Sequence, residues 1–375
     1  MRSQDVLPDL TLIVAGDPGQ RTGGYVYDAR MVVELRRQGW RVTVLGLEGR
    51  FPLADQMARQ SLTQALSTLP DNARVVIDGL AMGNLPDEVE CHAERLQIIA
   101  LVHHPLADET GLDVARQRVL RDSETRALAA ARRVVVTSHY TARALRDYHV
   151  PVERIRVAEP GVDKAALASG ALDHEASSLP WRLLCVATLT PRKGLGLLVE
   201  ALTGLTDRPW VCEIVGSYER DTGYAATLMA EARRLGLAER VSFVGERNDE
   251  DLAAAYRQAD LFVFPSLYEG YGMVVTEALS RGLPVITTTG GALVDTLPRE
   301  AGIAVPPGKA DALREALSYW MDDAGVRHRL RCGALRAREE LADWQQAGKR
   351  FAAALDALPE APAGTAACPE RGVSS

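Results

Sequence analysis

Lysine is scarce in this chain: Lys164, Lys193, Lys309 and Lys349 are four of 43 basic side chains, set against 50 acidic ones for a net charge of -7. That balance gives no global basis for binding nucleic acid, and none is expected as a partner. The five cysteines, Cys91, Cys185, Cys212, Cys332 and Cys368, show no C-x-x-C spacing. Scattered thiols of this kind read as reduced, in a cytoplasmic protein. No apolar run approaches the roughly 18 residues of a membrane span, and the first residues lack a signal-like apolar core. The G-x-G-x-x-G fingerprint is missing too, which argues against the usual dinucleotide site.

What is present is ample apolar material. With 375 residues and 47% hydrophobic composition, the chain has enough for two cores. The most informative stretch runs from Ala259 to Gly291. Leu261 to Pro265 is too short for a helix and too apolar for an exposed strand, so it reads as a strand buried on both faces of a parallel sheet. Pro265, Ser266, Gly270 and Gly272 then break the chain. From Met273 the positions Val274, Val275, Ala278 and Leu279 form one helical face, which stops at Gly282 and Pro284. A second buried strand, Pro284 to Thr289, ends in Gly290-Gly291. The loop therefore sits at the carboxyl end of a parallel strand, where α/β sheets bind ligands. Its glycines let backbone amides approach an anion such as a phosphate. Glu269 and Glu277 flank the loop; a carboxylate repels phosphate, so each is expected to accept hydrogen bonds from sugar hydroxyls.

The stretch PSLYEGYGMVVTEALSRGLPVI, with its glutamates in the pattern E-x7-E, resembles the signature of retaining glycosyltransferases of family GT4. The resemblance implies an α/β protein of the GT-B fold, two Rossmann-like domains with parallel sheets facing a central cleft. It also implies a nucleotide-diphosphate sugar as donor substrate, transfer with retention of configuration, no metal and no cofactor. By the same resemblance the amides from Gly270 through Tyr271 and Gly272 to Met273 hold the diphosphate, Glu277 the ribose, and Glu269 lies at the donor sugar. TLTPRKGLGLLVEAL, after the strand Trp181 to Thr188, resembles the family's phosphate-binding segment, and Lys193 matches the lysine that neutralises the leaving diphosphate. Many relatives also carry an arginine where this chain has Thr188. Arg192 is the candidate replacement, or Thr188 supplies a neutral hydrogen bond. Arg247, in the loop after the strand Val241 to Val244, falls where the family recognises the nucleotide base.

The first half reads as a six-strand α/β domain with strands at Asp9 to Ala15, Arg41 to Leu47, Arg74 to Ile77, Gln97 to His103, Arg133 to Ser138 and Arg154 to Ala158. Gly23 and Gly24 resemble the glycine pair by which such enzymes bring their first loop to the donor phosphates. In IIALVHHPLADETG, the resemblance places His103, ahead of His104, against the donor sugar, while Glu109 is a thinner candidate for acceptor contact. The arginines of the helix Asp113 to Arg133 suggest peripheral contact with an anionic membrane. The expected layout is an acceptor domain over 1–161, a linker over 162–180, a donor domain over 181–325, helices over 326–358 that cross back to the first domain, and a disordered tail over 359–375. The acceptor, whether glycan, lipid or small molecule, is not readable. Two rivals share the fold: a sugar-nucleotide epimerase and a non-catalytic nucleotide-sugar-binding partner protein.

Overall fold

The computed structural model describes residues 8–169, 180–356 and 358–360. The chain divides into two compact units, the first built from residues up to Gly161 together with those from Trp344 onward, the second from Val162–Asp343.

The first unit holds a six-stranded, all-parallel sheet. Its strands are β1 (Asp9–Ala15), β2 (Arg41–Leu47), β3 (Arg74–Asp78), β4 (Gln97–Val102), β5 (Arg133–Val136) and β6 (Ile155–Val157), in the order β2-β1-β3-β4-β5-β6. Runs such as Ile98–Val102 and Val134–Val136 are buried on both faces, which is why they are continuously apolar rather than alternating. A helix over Gly23–Arg37 follows β1 and packs against the last described helix, Trp344–Leu355. Trp344 and Phe351 meet Tyr27 edge to face, at 6.4 and 6.2 Å between ring centroids. The chain's C-terminal helix thus belongs to the core built by its N-terminal strands.

The second unit repeats the plan with β7 (Trp181–Val186), β8 (Trp210–Val215), β9 (Val241–Phe243), β10 (Leu261–Phe264), β11 (Val285–Thr288) and β12 (Gly302–Val305). These run in the order β12-β11-β10-β7-β8-β9, again all parallel. The helix Ala324–Glu340 stays with this unit, and Arg331 donates to the carbonyls of Gly282 and Ala168. Within the described part of the linker region, Ala168 is fully buried and its amide donates to the Arg281 carbonyl. Residues 170–179 and 361–375, which include most of the expected linker and tail, lie outside the described residues.

In both sheets the strand order reverses once, between β1 and β3 and between β7 and β10. Loops leaving the two central strands there diverge and open a crevice at the carboxyl ends. Both groups of candidate residues sit at these points.

Among the described residues Cys185, Cys212 and Cys332 are free thiols. On the helix Val114–Ala130, Arg116, Arg118, Arg121 and Arg126 each lie within ion-pair distance of a carboxylate. Among the described residues no helix is long and apolar enough to cross a membrane.

Candidate functional site

In the second unit the site is assembled by two loops. The first leaves β7 and makes a short 3-10 turn, Pro191–Lys193, closed by Gly194 at φ 65°. A Cβ on Gly194 would stand 2.2 Å from the Pro265 carbonyl, so only glycine lets this turn lie against the loop leaving β10. The loops are stitched together by the Leu267 amide, which donates to the Arg192 carbonyl at 2.8 Å.

Glu269 is the centre of this assembly. Although only 8% exposed, it accepts from Lys193 Nζ at 2.5 Å and from Ser266 Oγ at 2.6 Å, with Arg192 at 3.4 Å. Burial alone would favour the neutral acid, but the charges of Lys193 and Arg192 outweigh it and hold the carboxyl below its usual range. Its backbone is fixed by Gly290-Gly291: the Glu269 amide donates to the Gly290 carbonyl, and the Ala292 amide to that of Glu269. The result is a buried carboxylate held by two cations. The sequence placed Lys193 and Glu269 on separate functions 76 positions apart; nothing local in either segment shows the pairing.

Gly272 follows at φ 94° and delivers the chain into the helix Met273–Leu279, with its Cβ position closed by Leu293 Cδ2 at 2.7 Å. Gly270 and Tyr271 lie in the intervening turn, where Thr296 Oγ1 donates to the Tyr271 carbonyl at 2.6 Å. Met273 opens the helix and is half-buried. Glu277, one turn on, accepts from the buried Tyr256 hydroxyl at 3.0 Å. Arg247 follows β9 in a different ion pair, 3.2 Å from Glu213. The tripeptide Asp249-Glu250-Asp251 spells a D-x-D, but it forms the first turn of the helix Asp249–Gln258, capped by Asn248. Acidic residues there complement the helix N-terminus.

The first unit carries its own cluster at the β1/β3 switch point. His103 follows β4, and its Nε2 lies 3.2 Å from Asp28 Oδ1, on the second turn of the first helix. Asp78, at the end of β3, completes a trio whose ligand atoms all lie within 4.8 Å. Among the described residues this is the grouping with the chemistry to hold a metal ion. Burial opposes charge on His103, yet Asp28 and then Asp78 outweigh it and raise its pKa. Asp78 itself is pushed up to about 7, mainly by burial and also by Asp28, with His103 acting against both. Gly24 abuts the imidazole, since a Cβ there would stand 3.2 Å from His103 Cδ2, whereas a Cβ on Gly23 would meet nothing. His104 points elsewhere, 3.5 Å from Glu109.

Sequence reasoning missed both aspartates. Asp78 had a positional signal, as a carboxylate closing a buried strand on the functional rim. Asp28 had none, because its partner lies 75 positions away.

Comparison with known proteins agrees with this layout. Residues 173–336 match the family described as Glycosyl transferases group 1, and residues 23–166 match Glycosyltransferase Family 4. Among curated proteins, an MMP alpha-(1->4)-mannosyltransferase of Mycolicibacterium hassiacum is 27% identical over 72% of this chain and 67% of its own length. A D-inositol 3-phosphate glycosyltransferase of Salinispora arenicola is 30% identical over 64% of this chain and 59% of its own length. Among solved structures, sucrose-phosphate synthase from Thermosynechococcus elongatus superposes with a TM-score of 0.77 at 21% identity, covering 92% of this chain and 98% of that one. Anabaena HepE in complex with UDP-glucose gives a TM-score of 0.72 at 18% identity, covering 93% and 100%.

Proposed function

Because this chain belongs to the glycosyltransferases of group 1 and family 4 and is built on the GT-B fold, we propose that it moves a sugar from a nucleotide-diphosphate sugar to an acceptor hydroxyl, with retention of configuration and without a metal ion. The observation that carries this reading is the Lys193, Arg192 and Glu269 cluster at the β7/β10 switch point. A departing diphosphate develops charge that must be met at once, and preorganised cations do this without reorganisation cost. Lys193 and Arg192 supply two positive charges there, and Arg192 stands in for the arginine that relatives carry at the position of Thr188. As the diphosphate draws these cations, Glu269 is left close to the sugar, where a carboxylate supports an oxocarbenium-like state. The acceptor hydroxyl attacks from the same face and its proton passes to the leaving phosphate. Glu277, steadied by Tyr256, takes the ribose hydroxyls.

The donor is assigned to the second unit and the acceptor to the first, the unit that carries His103. The similarity to a D-inositol 3-phosphate glycosyltransferase makes an inositol phosphate the first acceptor to try. The test is proton NMR of the product formed from UDP-, GDP- and ADP-sugars in the presence of EDTA. A glycosidic product with the anomeric configuration of the donor supports the reading. A donor isomer of unchanged mass makes the protein an epimerase, and a product that forms only with added metal removes metal independence.

A further inference from the structure

The helix Asp249–Gln258 encloses a single side chain, Tyr256, which is 0% exposed. Its ring stacks on Phe262 of β10, at 5.8 Å between centroids and 25° between planes, and the Arg281 guanidinium covers it at 4.3 Å. A phenylalanine would make both contacts as well. They leave the hydroxyl unexplained. A buried phenol hydroxyl needs a hydrogen-bond partner, and here it donates to Glu277 Oε2 at 3.0 Å, on the helix Met273–Leu279 that follows Gly272. Arg281 closes the triangle, its Nη1 donating to the Glu277 carbonyl at 2.8 Å. Burial first, and then the Glu277 carboxylate, push the Tyr256 pKa up, with Arg281 opposing. The phenol therefore keeps its proton and stays a donor.

We propose that Tyr256 is the positioning residue of Glu277 and sets the preference of this site for ribose over deoxyribose. A vicinal diol presents two O–H donors side by side, and a carboxylate meets both only when its plane is turned toward them. A glutamate that must give up its rotamer freedom on binding loses affinity in doing so. Tyr256 removes that freedom beforehand, because its own ring is fixed between Phe262 and Arg281. A carboxylate has about four lone-pair sites, so a bond to Oε2 orients the group without using up its acceptor capacity. Being fully enclosed, Tyr256 acts on the ligand through Glu277 and not by touching the sugar. The inference rests on the reading of the second unit as the nucleotide-sugar site.

The test is isothermal titration calorimetry of the full chain with UDP, GDP and ADP and with the dideoxynucleotide counterpart of each, which lacks both ribose hydroxyls. Wild type is measured beside Tyr256→Phe and Glu277→Ala. In wild type one ribonucleotide binds tighter than its counterpart by about tenfold or more. Tyr256→Phe narrows that ratio by about threefold or more, by weakening the ribonucleotide while the dideoxynucleotide binds as it does to wild type. Glu277→Ala abolishes the ratio. A merely structural role for the hydroxyl would weaken both ligands equally in Tyr256→Phe; that result, or a ratio unchanged from wild type, overturns the proposal. Wild type that binds a ribonucleotide and its counterpart equally well overturns it without any variant, whether or not Tyr256→Phe folds. Wild type that binds none of these ligands removes the nucleotide site itself and the inference with it, a failure distinct from the loss of discrimination alone.

Discussion

Lys193 carries the most consequence of any single side chain. It neutralises a buried carboxylate and lies 5.3 Å from the Phe264 ring centroid, so its ammonium is held from two sides. Removing one preorganised charge partner from a developing anion costs on the order of 10²-fold or more in kcat. Lys193→Ala is therefore expected to lower kcat by about that factor in steady-state assays. The same change leaves Glu269 with Arg192 and Ser266 only, which raises its pKa, so the acid limb of the pH profile moves to higher pH. Gly272 makes a different prediction. Its φ of 94° and the closeness of Leu293 leave no room for a side chain, and strain of this type costs about 1–3 kcal/mol. Gly272→Ala should lower the unfolding midpoint in urea and, on the proposed diphosphate role of this loop, weaken nucleotide binding with it.

At the scale of elements, the segment after β4 is pinned by a buried acid. Glu124 on the helix Val114–Ala130 is 1% exposed and accepts from the Leu106 amide at 2.9 Å. Burial pushes its pKa up to about 8, with Asp108 adding to the effect and the Leu106 amide and Arg121 opposing it. The folded form therefore binds a proton that the unfolded chain, near 4.3, has released. Stability from this group is complete below about 4.3 and is lost as pH rises through 8. Asp78 slopes in the same sense, through about 7. Urea midpoints measured from pH 5 to 9 should fall with rising pH, and Glu124→Gln should flatten part of that decline. The elements themselves were largely legible: β1 and β2 span the residues expected of them, and β3 and β4 end within one residue of theirs. Local chemistry sets those features. Glu124, Asp28 and Asp78 owe their roles to burial among distant segments, which no local pattern reports. Glu269, Lys193 and Arg192 were each named from the sequence, but their pairing was not.

At the scale of the molecule, the helix Trp344–Leu355 returns the end of the chain to the first unit. Gly348 lies so close to the first helix that a Cβ would stand 2.3 Å from Glu34 Cβ. Overpacking of this kind costs about 1–3 kcal/mol. Gly348→Val should destabilise the first unit by about that amount, seen as earlier loss of hydrogen-exchange protection in β1 and β6 than in β7 and β10.

The central claim is that the second unit is a nucleotide-sugar site organised by Lys193, Glu269 and Glu277. Its most direct test is thermal shift of the whole protein against UDP-, GDP- and ADP-sugars, with wild type beside Lys193→Ala and Glu277→Ala. Ligand bound only to the folded state raises the melting temperature by mass action. The predicted result is a rise with one nucleotide class in wild type that is lost or strongly reduced in both variants. A well-folded wild type that shifts with none of them, or variants that shift as much as wild type, would contradict it.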